Sequence, residues 1–114
     1  MTNTAEYNND GTRVRNLKES ASRKGDFAEY YAVTWLWDNG YEVFVNAGCN
    51  GPIDMIAFKD GETILIDVKT QRFDGRRKVK TVSNARTKEQ ENLGVVLLAF
   101  NPDTRKLKWV EHTK

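Results

Sequence analysis

Cysteine is almost missing from this 114-residue chain: Cys49 stands alone, and His112 is the only histidine. An internal disulfide and a cysteine-based zinc site are thereby excluded, and a reducing, cytoplasmic setting is the simpler expectation, in a host cell if the chain is phage-encoded. Cys49, between Gly48 and Asn50, reads as a loop residue, since a thiol nucleophile needs a nearby base and His112 is the one partner of that kind. Proline is scarce too, with Pro52 and Pro102 alone. No apolar run approaches the ~20 residues of a membrane helix, and the first residues lack the basic and apolar regions of a signal peptide. No repeat and no low-complexity segment occurs. The length fits one small domain with one core.

What is abundant is charge, and it is unevenly spread. Between Lys69 and Lys88 stand eight basic residues (Lys69, Arg72, Arg76, Arg77, Lys78, Lys80, Arg86 and Lys88) against one acid, Asp74, a local charge of +7 in a chain whose net charge is +2. The rest of the chain therefore carries −5. So dense a basic run suits a phosphate backbone, although a solvated loop that keeps the protein soluble has the same composition.

Residues 1–16 are polar, without apolar periodicity, and are expected to form a flexible arm ahead of a single domain over 17–114. A helix is predicted over 17–38, closed by Asn39-Gly40, with its second half apolar nearly all round, as for a helix packed on a sheet. Trp35 and Trp37 of this helix, with Trp109 far along the chain, suit either the core or a subunit interface, and the core is the expectation. Strands are predicted over 41–46, 52–58 and 62–70. A basic loop and a short helix over 86–93, ended by Gly94, follow. Residues 95–100 form a continuous apolar run that suits a strand covered on both faces, and 107–110 an edge strand. The order helix, three strands, helix, two strands describes an α/β sandwich around a mixed sheet.

The most informative segment runs from Pro52 to Lys69, two apolar runs flanking Asp60-Gly61. A two-residue turn pairs Lys59 with Glu62, Ile56 with Leu65 and Asp54 with Asp67, whose Cβ atoms would then lie ~5 Å apart on one face. Like charges so placed repel each other, and a mostly apolar hairpin adds a desolvation cost. A divalent cation between them resolves both, and Mg²⁺ suits a site of two or three hard oxygens with room for water. Lys69 follows on the same side of the strand as Asp67. A three-residue loop would instead turn the two aspartates to opposite faces. On the helix, Glu29 shares a face with Val33 and Leu36 and so points toward the sheet; alternatively, Asp26 is an N-cap and Glu29 its capping-box partner.

Taken together, Lys24-Gly25-Asp26-Phe27-Ala28-Glu29-Tyr30-Tyr31-Ala32, then Gly51-Pro52-Ile53-Asp54, then Asp67-Val68-Lys69-Thr70 resemble the PD-(D/E)xK nuclease superfamily. The pattern looks closest to its small branch of Holliday junction resolvases. The chain departs from that pattern in placing Ile53 between the proline and the aspartate, and in carrying Asp67 where resolvases usually have Glu. The resemblance implies a restriction-endonuclease-like α/β sandwich with a central mixed β-sheet. It also implies a Mg²⁺-dependent DNA endonuclease, with Mn²⁺ able to substitute, acting on branched or duplex DNA as a homodimer. On these positions it implies Asp54, Asp67 and the Val68 carbonyl as metal ligands, with Glu29 on a second ion or a metal-bound water. Lys69 would activate the attacking water, and Gln71, next on the same face, would bond the phosphate or a ligand water. Arg23, Lys24, Arg72, Arg76, Arg77, Lys78, Lys80, Arg86 and Lys88 would meet DNA. The competing expectations are another phage or mobile-element nuclease on the same core, and a nucleic-acid-binding module that does not cleave.

Overall fold

The computed structural model describes residues 21–48, 50–74, 79–81 and 86–111. The expected arm over 1–16, the predicted first turn of the helix before Ala21, and Cys49, Arg76, Arg77 and Lys78 lie outside the described residues.

Helix α1 (Ala21–Asp38) runs to the predicted stop at Gly40. There Gly40 N–H donates to Trp37 O at 3.0 Å and Tyr41 N–H to Leu36 O at 3.0 Å, which consumes carbonyls the helix end would otherwise leave bare. Lys59 secures the same end from across the sheet, its Nζ donating to Asn39 O at 2.7 Å and lying 5.1 Å from the Tyr41 ring centroid. Asp26 lies inside α1, five residues past Ala21, so it is not an N-cap, and Glu29 is not a capping partner.

Strands β1 (Glu42–Val45), β2 (Met55–Lys59) and β3 (Glu62–Thr70) form an antiparallel meander. The β2–β3 register pairs Lys59 with Glu62 and Ile56 with Leu65, as the two-residue turn predicts. Asp60 and Gly61 take φ of 52° and 79°. Two successive positive values define the turn type whose twist matches the strands, and Asp and Gly are the residues that tolerate it.

After β3 the chain departs from expectation. In place of a plain basic loop it forms a separate two-stranded antiparallel sheet of β4 (Arg72–Asp74) and β5 (Val79–Thr81), with Phe73 opposite Lys80. Helix α2 (Lys88–Leu93) follows, two residues shorter at its start than predicted because Thr87 is its N-cap. Strands β6 (Val96–Asn101) and β7 (Lys106–Trp109) complete a five-stranded sheet in the order β1-β2-β3-β6-β7. β6 lies parallel to β3 while its other neighbour is antiparallel, so the sheet is mixed. The apolar run behaves as predicted: Val95 through Phe100 are buried apart from partial exposure of Val96.

The core lies between α1 and one face of this sheet, where Ala32 and Leu36 meet Met55, Ala57, Ile66 and Leu98. Because strand side chains alternate, Ile66 on that face sends Asp67 to the other. The tryptophans expected in the core divide: Trp35 is half-buried, packed against the core and edge-on to Trp109 with centroids 6.0 Å apart, whereas Trp37 is 62% exposed and Trp109 36%. The two sheet edges also differ. β7 presents exposed Lys106 and Lys108, whereas β1 presents exposed Phe44 and Val45.

Candidate active site

The loop before β2 sets Asp54. Asn46 organises it, with Nδ2 donating to Asn50 O at 2.7 Å and Ile53 O at 2.9 Å while Oδ1 accepts from Gly48 N–H at 2.9 Å. Gly51 takes φ 106°, a conformation open in practice to glycine alone, and so lets the chain fold over Asn46. The β2–β3 ladder then begins one residue late. Met55 pairs with Ile66, while Asp54 N–H donates to Ile66 O at 2.8 Å and Asn46 N–H to Asp54 O at 2.9 Å. Asp54 is thus just outside the ladder rather than paired within it, yet its side chain reaches the partner the register predicts.

Asp54 and Asp67 lie close enough for their carboxyl groups to share a proton, and Asp54 Oδ2 accepts from Val68 N–H at 2.8 Å. Two carboxylates so placed repel each other when both are ionised, which favours a proton on one of them. Burial is the largest influence raising the Asp54 pKa from 3.8 to about 8, followed by the Asp67 hydrogen bond; the charges of Asp67 and Glu29 add to it, and the Val68 N–H opposes them. Asp54 therefore carries that proton. Glu29 lies half-buried on α1, near enough for its charge to act on Asp54.

Asp67 is 7% exposed. Its Oδ2 has two donors, Lys69 Nζ at 3.3 Å and Gln90 Nε2 at 2.9 Å. Lys69 is about one-third exposed, so its ammonium meets both the acid and the solvent. Gln71, expected to reach phosphate, is instead buried just beyond β3, where its N–H donates to Phe100 O at 2.8 Å.

Gln90 is the site residue that sequence reasoning missed. Its Oε1 accepts from Thr87 N–H at 3.0 Å and Thr87 Oγ1 accepts from Gln90 N–H at 3.1 Å, a complete capping box that starts α2. The pattern Thr87-Lys88-Glu89-Gln90 signals the cap; nothing local signals that the amide also reaches Asp67 and, at 2.9 Å, Pro52 O.

Among the described basic residues, Arg23, Lys24, Arg72 and Lys88 are exposed, with Arg72 next to buried Gln71 and Lys88 on the helix that carries Gln90. Arg86 is half-buried and donates from Nη1 to Val95 O at 3.1 Å. Lys80 is placed only through its backbone, opposite Phe73.

The donor chemistry suits a hard divalent cation. Two adjacent carboxylates that now need a shared proton would exchange it for a cation, the usual coupling of metal uptake to proton release. Among the described residues no three of His, Cys, Asp and Glu converge into a cage. Two carboxylates supplemented by a backbone carbonyl and waters is a sufficient ligand set for Mg²⁺.

A family model described as PD-(D/E)XK endonuclease matches residues 19–110. The chain belongs to that family. Members of the PD-(D/E)XK family generally use divalent metal ions, in keeping with the acid pair. Among solved structures, the bacterial homing endonuclease I-Ssp6803I is similar to this PD-(D/E)XK chain with a TM-score of 0.67 and 20% identity, over 80% of this chain and 64% of that one. The chain thus spans under two-thirds of that enzyme's length, and the likeness is one of fold. No curated protein matches. Among the described residues, no helix is long and apolar enough to cross a membrane.

Proposed function

We propose that this PD-(D/E)XK nuclease is a Mg²⁺-dependent DNA endonuclease, structure-specific in the manner of the small Holliday junction resolvases. The observation that carries the reading is the contact of Asp54 with Asp67, with Lys69 Nζ 3.3 Å from the same acid. Asp54 and Asp67 hold the cation, and the Val68 carbonyl adds a neutral oxygen. When bound, Mg²⁺ supplies Lewis-acid activation of water and neutralisation of charge on the phosphate, and Mn²⁺ can replace it. Glu29 accepts a hydrogen bond from the attacking water, and Lys69 orients that water or meets the charge that grows on the phosphate. Arg23, Lys24, Arg72 and Lys88 supply exposed positive charge for the DNA backbone, joined by Arg76, Arg77, Lys78 and Lys80 of the basic segment, while Arg86, with Nη1 on Val95 O, offers the rest of its guanidinium to the same backbone.

A homodimer suits a branched substrate with two equivalent cleavage points. The exposed Phe44 and Phe58 support self-association: the register puts both on the sheet face opposite α1. The second reading is a nuclease of a phage or mobile element acting on duplex DNA, and the likeness to a homing endonuclease favours it. Offering four-way junction, flap, duplex and single-stranded DNA with Mg²⁺ or Mn²⁺ separates the two by the substrate cut fastest. Asp54→Asn, Asp67→Asn and Lys69→Ala are each expected to lower cleavage at least ~100-fold. Strong DNA binding without any metal-dependent product would leave a non-cleaving module.

A further inference from the structure

We infer that Gln90 is a positioning residue that presents Asp67 to the cation through one chosen oxygen while holding the Asp54 loop in place. The inference rests on the nuclease reading, and it goes beyond that reading by giving α2 a role in the site.

Gln90 is 6% exposed and its side-chain amide is fully engaged. Thr87 N–H holds Oε1, which fixes which end of the amide is nitrogen. Nε2 must then face the other way, and its two hydrogens go to Pro52 O and Asp67 Oδ2, both at 2.9 Å. Those acceptors lie on the two segments that carry the acids: Pro52 is two residues before Asp54. One amide therefore ties together three separate pieces of chain, at positions 52, 67 and 87.

The chemical type of the donor matters as much as its place. An amide donates to a carboxylate without bringing a positive charge of its own, so Gln90 steadies Asp67 without competing with a cation for it. Lys69 contacts the same Oδ2. With Gln90 also on that oxygen, Asp67 does not depend on Lys69 for its orientation, and the ammonium can leave to meet phosphate. Without Gln90, Lys69 would be the remaining donor to Oδ2 among the described contacts, and would be held back. A capping box accepts Glu as readily as Gln at this position, yet only Gln can donate to Asp67.

That equivalence supplies the test. Gln90→Glu keeps the acceptor for Thr87 N–H and removes both donations; Gln90→Met removes the acceptor as well; Thr87→Ala removes only the hydroxyl half of the cap. Mn²⁺ uptake is measured by calorimetry on each full-length variant, with thermal unfolding to confirm folding. Both Gln90 variants are expected to bind Mn²⁺ about tenfold or more weakly than wild type, with kcat falling more than KM rises, while Thr87→Ala binds as wild type does. Wild-type affinity in a folded Gln90→Glu, tighter binding there, or an equal loss in Thr87→Ala overturns the inference. If Gln90→Met does not fold, Gln90→Glu decides. If the wild type takes up no Mn²⁺, the nuclease reading is what fails. The brace is then judged by the Gln90 side-chain amide signals in NMR: movement on Asp67→Ala supports it, and indifference overturns it.

Discussion

The proton on Asp54 ties stability to pH. Its carboxyl titrates near 3.8 in an ordinary setting and at about 8 in the fold. Between those values the folded chain binds more protons than the unfolded one, so this contribution is complete below the lower value and fully lost once pH has climbed through the upper. The metal-free protein is therefore expected to melt at progressively lower temperature from about pH 4 to about pH 8, and Asp54→Asn to flatten that slope. Mg²⁺ should restore the melting temperature most at the alkaline end, where Asp54 has given up its proton. Much of this chemistry was legible from the sequence. Asp54 and Asp67 are brought together by a two-residue turn and an alternating strand, both local rules, and Lys69 follows by the same alternation. Gln90 was not legible, because its partner Asp67 lies 23 residues away and only folding makes them neighbours.

At the level of the elements, α1 shows why Trp37 was misassigned to the core. Its second half is apolar almost all round, so the sequence offers no polar face to mark the solvent side. In the fold Leu36 takes the fully buried position and its neighbour Trp37 points outward. Leu36→Ala is expected to cost about 2–5 kcal/mol in chemical denaturation, whereas Trp37→Gln should stay within about 0.5 kcal/mol of wild type. Equal losses would mean that Trp37 is covered in solution. The β4–β5 hairpin was hidden for a different reason: a segment so rich in Arg and Lys lacks the apolar alternation by which strands are recognised. Helix α2, the turn at Asp60-Gly61 and the stops at Gly40 and Gly94 followed their local signals closely.

For the whole molecule, the basic run from Lys69 to Lys88 follows directly on the strand that carries Asp67. Binding to DNA should weaken steeply with salt, and replacing Arg72 and Lys88 together by Gln should lower the slope of log affinity against log salt by about two if each meets a phosphate. An unchanged slope would move the contact surface elsewhere. The same global view applies to the two flanks of the main sheet. Lysines deter a strand from adding alongside β7, while β1 carries Glu42 as its one charge beside exposed Phe44 and Val45. A sheet open on one side only can be capped by a second copy but cannot continue past it, so concentrated protein should stop at pairs and not grow into fibres.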